Sequence, residues 1–471
     1  MIIFNEDENP EREARFNFTQ TIIVMILGTS LFWISGFIFP KDIFKQKILQ
    51  NEFITNDDIT FSMQQDSLEL SKHEIPDSIS LIFFDAQKAQ KPSGSFDFNI
   101  VETNKEGKGL SKFFEKLYKL ETTKNGNIRI AYYGDSMIED DYIVHTIRSL
   151  LQKKYGGNGV GLVPISLPNL SGRHTIKHNF SQNWQTSSLI KRKFSPIGVS
   201  GTVSYSLDSD SLWVSYKSGT QKIYNPVLIY GKSNNMNGKV HVSSQNDKRE
   251  ISLNPQNSIN SLNINTEKDS ISLIFYDVDS IPFFGINFTT QNGIFVDNFS
   301  IRGSSGLPLI YLDKPLMNAF QKKFDYDLII LQFGANVIKS DIKKYKWYSE
   351  KMTKVVEHIR ECFPQADILI ISAADKAAKY GNKIQTDSLI YPLLRSQREY
   401  ALTTNSSFIN LFKIMGGEGT MAKWVNEYPP LGAKDFIHFS PTGAKIIANA
   451  VYEKLEEEYQ NYKNIKSGGS N

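Results

Sequence analysis

The sequence contains a single cysteine, Cys362, among 471 residues. That excludes an intrachain disulfide and any cysteine-based metal cluster. Histidine is also scarce, with seven scattered along the chain. His174 and His178 stand four apart, but no His-Glu-x-x-His pattern accompanies them, so the sequence offers no zinc site. Neither sign of charge dominates: 53 Lys and Arg against 50 Asp and Glu leave a net +3. The basic residues are dispersed, and without a basic stripe nucleic acid is not an expected partner. No internal repeat is present.

Charge disappears altogether from Thr21 to Phe39, TIIVMILGTSLFWISGFIF, a run of 19 residues. About 20 apolar residues span a bilayer as a helix. No small-x-small cleavage site follows, so the run reads as an uncleaved anchor over 18–40 behind a short tail, 1–17. Its flanks carry Arg12 and Arg15 before it and Lys41, Lys45 and Lys47 after it. Counting Lys and Arg alone would put the C-terminal side in the cytoplasm.

Residues 41–109 are weakly periodic and read as a linker, with one strand-like run from Ser78 to Phe84. The pattern then sharpens. Leu110, Phe113, Phe114, Leu117 and Leu120 have helical spacing, NIRIAYYG follows as an apolar strand, and YIVHTIRSLLQKKYGG reads as an amphipathic helix. This is the order of an α/β sheet. Over 167–292 the character changes to short alternating runs separated by Gly, Asn, Ser and Asp, the pattern of an antiparallel sandwich. The α/β pattern resumes over 293–463, with strands GIFVDNFSIRG, YDLIILQFGAN and ADILIISAAD and helices over 343–362, 391–402 and 444–459. A short flexible tail is expected at 464–471. The β-rich block is therefore expected to interrupt one α/β domain formed by 110–166 and 293–463.

Three strand ends collect small and polar residues: Gly134-Asp135-Ser136, Gly303 and Gly334-Ala335-Asn336. Near the C-terminus Asp435 and His438 precede Ser440-Pro441, a helix-start signal. In a parallel sheet the carboxyl ends of the strands share one edge, so these residues can meet. A serine hydroxyl needs an adjacent base to become a nucleophile. His438 can serve as that base, and Asp435 can fix its tautomer. The amides of Ser136 and Gly303 and the side chain of Asn336 would give three donors to an oxyanion.

The blocks YYGDSMIED, NFSIRGSSG, LQFGANV and DFIHFSPTGA, in this order, resemble the four signature blocks of the SGNH (GDSL-type) hydrolase superfamily. The resemblance implies a flavodoxin-like three-layer α/β/α domain and ester hydrolysis with no metal or other cofactor. It assigns Ser136 as nucleophile, His438 as base, Asp435 as its partner, and Ser136, Gly303 and Asn336 as the oxyanion hole. Val337 stands where many members have Asp or Glu, a difference of subfamily. GGNGVGLVPI, the β-rich insertion and GGEGTMAKWVNEYPP together resemble exported or membrane-anchored esterases that act on O-acetylated envelope polysaccharides, including peptidoglycan O-acetylesterases. That branch implies a jelly-roll-like, carbohydrate-binding-like inserted domain and a catalytic domain on the periplasmic side, against the charge count around the anchor. The implied partners are an acetylated polysaccharide or peptidoglycan as substrate, the membrane through 18–40, and a membrane acetyltransferase.

Two other functions fit the same residues: acetyl transfer to a sugar hydroxyl, and a non-catalytic polysaccharide-binding or assembly protein. Arg302, beside Gly303, is a candidate contact for an anionic substrate; Trp424 reads first as a packing residue and, being near the Asp-His block, second as a candidate pocket wall. Glu139, Asp140 and Asp141 read as acids favouring the following helix N-terminus. His145, Trp347, Asp375 and most aromatics of the insertion, Trp184, Trp213 and Tyr205, read as structural.

Overall fold

A computed structural model describes residues 101–102 and 109–468, apart from short stretches at 168–172, 208–211, 220–222, 245–246, 265–268 and 340–341. The tail 1–17, the anchor 18–40 and most of the linker 41–109 lie outside the described residues. Among the described residues no helix is long and apolar enough to cross a membrane.

Runs such as Ile130–Tyr133 and Leu328–Leu331 have no polar face, because they form strands covered on both sides. They belong to a six-stranded sheet of β1 (Val101–Glu102), β2 (Asn127–Gly134), β3 (Gly293–Ser300), β4 (Tyr326–Gln332), β5 (Asp367–Ile371) and β6 (Ser407–Ile409). The spatial order is β1-β6-β5-β4-β2-β3. β2 to β6 run parallel, and β1 adds an antiparallel edge strand through Val101↔Ile409. Counted from β2, the parallel strands have the flavodoxin-like order 2-1-3-4-5, with a topological switch between β2 and β4. Two residues of the expected linker thus join the sheet.

The helices are α1 (Ser111–Thr123), α2 (Tyr142–Tyr155), α3 (Lys314–Phe324), α4 (Lys346–Cys362), α5 (Ile390–Thr403), α6 (Leu411–Met415), α7 (Thr420–Asn426) and α8 (Pro441–Gly468). Alternate residues of one strand feed opposite layers. Ile128, Ile130 and Tyr132 of β2 join a core with α1, α2 and α8 residues such as Phe114, Ile147 and Val451. Ala131 and Tyr133 join a second core with Phe320 of α3, Val356 of α4 and Leu393 of α5. The apolar stripe expected on α1 is the buried face observed, Phe113, Phe114, Leu117 and Leu120. α8 continues through 464–468, so those residues are helical rather than a loose tail.

Between β2 and β3 the described residues of the insertion form two antiparallel sheets. One contains Ile176–Phe180, Leu212–Ser218, Ser270–Tyr276, Lys239–Ser244 and Asp247–Ser252. The other contains Trp184–Ser188, Thr202–Ser206, Phe283–Phe288, Pro226–Tyr230 and Asn260–Asn263, with Gly161–Val163 also pairing on Phe283–Phe288. The β-rich unit therefore starts at 161, six residues before the boundary expected from sequence. Val214 and Leu273 of one sheet share an apolar core with Leu228 and Phe283 of the other. Trp184 belongs to this core, edge-on to Phe275 at 5.1 Å, whereas Trp213 is 39% exposed.

A buried ion pair ties the insertion to the main sheet. Arg129 of β2 donates through Nε to Asp297 Oδ2 of β3 at 2.7 Å and through Nη2 to Oδ1 at 2.8 Å. Arg129 Nη2 also reaches Asn287 Oδ1 at 2.6 Å, and Asp297 Oδ1 accepts the Leu162 N–H at 2.7 Å. Both charges are buried. Arg129→Met would leave Asp297 charged and without its cation, so a loss of about 3–5 kcal/mol in unfolding free energy is expected. Urea unfolding of the variant beside Arg129→Met/Asp297→Asn checks this, with the double variant recovering part of the loss.

Candidate active site

The register of the sheet brings the candidate residues to one edge. Ser300 of β3 and Gln332 of β4 both pair with Gly134, so the chain leaves β2, β3 and β4 at the same level. Gly134 is needed there for space: a Cβ would lie 3.0 Å from the Gln332 carbonyl oxygen and 2.9 Å from Ile138 Cδ1. Ser136 opens a one-turn 3₁₀ helix, Ser136–Ile138, capped by Asp135, whose Oδ1 accepts the Met137 N–H at 3.0 Å.

The loop before α8 delivers the other two residues. Ser136 Oγ lies 2.8 Å from His438 Nε2, and His438 Nδ1 lies 2.6 Å from Asp435 Oδ2. Asp435 Oδ1 accepts the N–H groups of Ile437 at 2.9 Å and His438 at 3.0 Å, so the loop is wound around this carboxylate. Phe436 has φ 60°, a left-handed conformation that costs energy in a bulky residue and is held here by the surrounding contacts. Its carbonyl accepts the Ala377 N–H at 3.0 Å. At the end of the loop, Ser440 Oγ accepts the Gly443 N–H at 3.1 Å and Pro441 begins α8, the capping arrangement expected from Ser-Pro.

Protonation states follow from these bonds. Burial works against the Asp435 charge, but the bonds from the His438 ring and two backbone N–H groups outweigh it and hold the carboxyl well below its usual range. The bond to Asp435 raises the His438 pKa above its ordinary value, against burial. An ionised Asp435 can only accept, so His438 Nδ1 carries the proton and Nε2 is free to accept from Ser136 Oγ–H.

Gly303 follows β3 with φ 77°, and a Cβ there would meet nothing within 4 Å. Conformation rather than space therefore calls for glycine. Asn336 lies in the turn Ala335–Val337 after β4, and its Nδ2 donates to Asp135 Oδ2 at 3.1 Å and to the Ser304 carbonyl at 3.2 Å. Ser136 and Asn336 are thus joined through Asp135. A cavity of about 20 Å³ nearby is lined by Asp135, Met137, Ala335, Ala373, Ala374 and Ile437 among others. Each of Ser136, Asn336 and His438 has a chain neighbour in its wall.

Several sequence readings are corrected. Trp424 is buried and packs against Phe439 with ring centroids 5.8 Å apart, which makes it a core residue rather than a pocket wall. Asp141 does not serve the α2 N-terminus through its side chain; it is buried, paired with Arg148 at 3.0 Å, and accepts from Thr175 Oγ1 and Asn298 Nδ2. Glu139 likewise turns to Arg302, whose Nε donates to Glu139 Oε2 at 2.7 Å. The Arg302 side chain stays 45% exposed.

The hairpin Ala377–Tyr380/Lys383–Thr386, which supports Phe436, was not anticipated. Its signal was Gly381-Asn382 between two short runs, a two-residue hairpin turn. Asp375, just before it, is buried and accepts from Thr386 Oγ1 at 2.9 Å and from the Met421 N–H at 2.8 Å, a structural role.

Among solved structures, a peptidoglycan O-acetylesterase superposes on this chain with a TM-score of 0.64 at 22% sequence identity, over 77% of this chain and all of the other. The two chains share a fold. A family two carbohydrate esterase from Cellvibrio japonicus matches at 12% identity over 61% of this chain and 98% of its own, with a TM-score of 0.24, too low to compare folds. No family model matches the chain, and no curated protein matches it in sequence. The likeness thus rests on shape, and the chemistry rests on the residues themselves.

Proposed function

We propose that this chain is a serine esterase that removes O-acetyl groups from an extracytoplasmic polysaccharide, peptidoglycan included, and is held to the membrane by residues 18–40. The observation that carries the reading is the hydrogen-bond order Ser136–His438–Asp435 at the carboxyl edge of the sheet. The shared fold with a peptidoglycan O-acetylesterase supports the substrate class. The uncharged run from Thr21 to Phe39 supports the anchor.

In this reading Ser136 Oγ attacks the acetyl carbonyl carbon as its proton passes to His438 Nε2. The oxyanion is met by the Ser136 and Gly303 amides and by Asn336. Collapse breaks the bond to the sugar oxygen, which takes the proton from His438 and leaves as the hydroxyl. Water then attacks the acetyl-Ser136 carbonyl, with His438 again the base, and releases acetate. The two-sheet unit is read as a sandwich module of carbohydrate-binding type, with Trp213 as one exposed ring, and Arg302 as a contact for an anionic glycan.

The test is product analysis with O-acetylated peptidoglycan and with an acceptor oligosaccharide. Free acetate is expected; acetylated acceptor in its place would establish transfer, and neither product would overturn the reading. On the acetyl reading, nitrophenyl acetate is expected to exceed nitrophenyl butyrate in kcat/KM by at least about tenfold, measured from initial rates.

A further inference from the structure

Asp135 precedes the nucleophile in the chain, yet its side-chain hydrogen bonds go outside the Ser136–His438–Asp435 order, and it is 1% exposed. Both oxygens are engaged: Oδ1 by the Met137 N–H at 3.0 Å and Oδ2 by Asn336 Nδ2 at 3.1 Å. Asn336 sends its other amide hydrogen to the Ser304 carbonyl, one residue past Gly303. An asparagine amide turns easily about its terminal bond, whose torsional wells are broad. An oxyanion donor contributes most when its direction is fixed before charge develops. Two acceptors, one on each side, give the Asn336 amide a single plane.

We propose that Asp135 is a positioning residue for the oxyanion hole, holding the Asn336 amide in plane through Oδ2 while the Met137 N–H holds its own carboxylate. The Asp135 bond is kept through the reaction, and the hydrogen aimed at the Ser304 carbonyl is shared with the oxyanion without the amide turning. The turn Ser136–Ile138 that presents the nucleophile is capped by the same carboxylate, so nucleophile and donor are set by one group. Burial pushes the Asp135 carboxyl up to about 6, which still leaves it ionised and accepting at neutral pH. The inference rests on the esterase reading above.

Asp135→Asn tests it with little change of shape. Two N–H donors approach two different oxygens, and asparagine offers only one acceptor, so one donor loses its partner. Asn336→Ala is expected to lower kcat by about 10²–10³-fold, and Asp135→Asn by about ten- to a hundredfold, with KM little changed. If Asp135 acts through Asn336, the double variant falls no further than Asn336→Ala, within about twofold. Melting curves establish that each variant folds. Where Asp135→Asn does not, Asp135→Ser takes its place, leaving room for water to satisfy both donors, with the same expected pattern. An unchanged kcat, or losses that multiply in the double variant, would overturn the role. A wild-type protein that releases no acetate would instead overturn the esterase reading.

Discussion

Ser136→Ala is expected to lower the rate of acetate release by on the order of 10⁶-fold, the scale seen when a triad nucleophile is removed. The hydroxyl forms the covalent bond, and no neighbouring group replaces it: His438 Nε2 faces Ser136 Oγ at 2.8 Å, while Asp135 turns inward to Met137 and Asn336. The fold should not notice the change. The turn that carries Ser136 is capped by Asp135, not by the serine hydroxyl, and the His438 side chain is 38% exposed, so water can take the vacated bond. A change within about 0.5 kcal/mol of unfolding free energy is expected, as for a half-buried substitution that opens no core cavity. Acetate assay and thermal unfolding on the same preparation separate the two effects. A variant as active as wild type would remove Ser136 from the chemistry and leave Gly-Asp-Ser as a turn.

The parts legible in sequence are those whose signals are local. β2, β4 and β5 show themselves as apolar runs because both faces of the sheet are covered, and their ends show as Gly134 and Gly334. α1 shows as a stripe because only one face is buried. The site could be assembled from three such strand ends and the loop before α8, since a parallel sheet forces its strand ends to one edge. What stayed hidden depends on partners far along the chain. Asp141 looked like a helix-start acid because its helix is adjacent, but its bonds come from Arg148, Thr175 and Asn298. Asp135 looked idle because Asn336 is 201 residues away. β1 is two residues long and carries no periodicity to read. Trp424 lies near the Asp-His block in sequence, yet α7 turns it into the core. Proximity in sequence was a poor guide to these side chains.

Asp435→Asn is the variant that tells a positioned base from a bystander, and a loss of about 10⁴ in kcat is expected. Asp435 accepts three hydrogen bonds, from His438 Nδ1 and from the N–H groups of Ile437 and His438. Asparagine keeps the shape, and its single oxygen can remain with the two backbone N–H groups. Its NH₂ then faces His438 Nδ1, which must become the acceptor. The ring proton moves to Nε2, where it points at Ser136 Oγ, and the base can no longer take the serine proton. The pH profile should move as well. Asp435 raises the His438 pKa, so the wild-type acid limb of kcat/KM lies above the ordinary histidine range, and activity is lost as pH falls through it. Without the carboxylate the imidazolium loses its partner, and the residual activity should persist to lower pH than in the wild type. Rates of both proteins across the pH range check the two effects together. An acid limb that stayed in place would separate Asp435 from His438 in function despite the 2.6 Å between them.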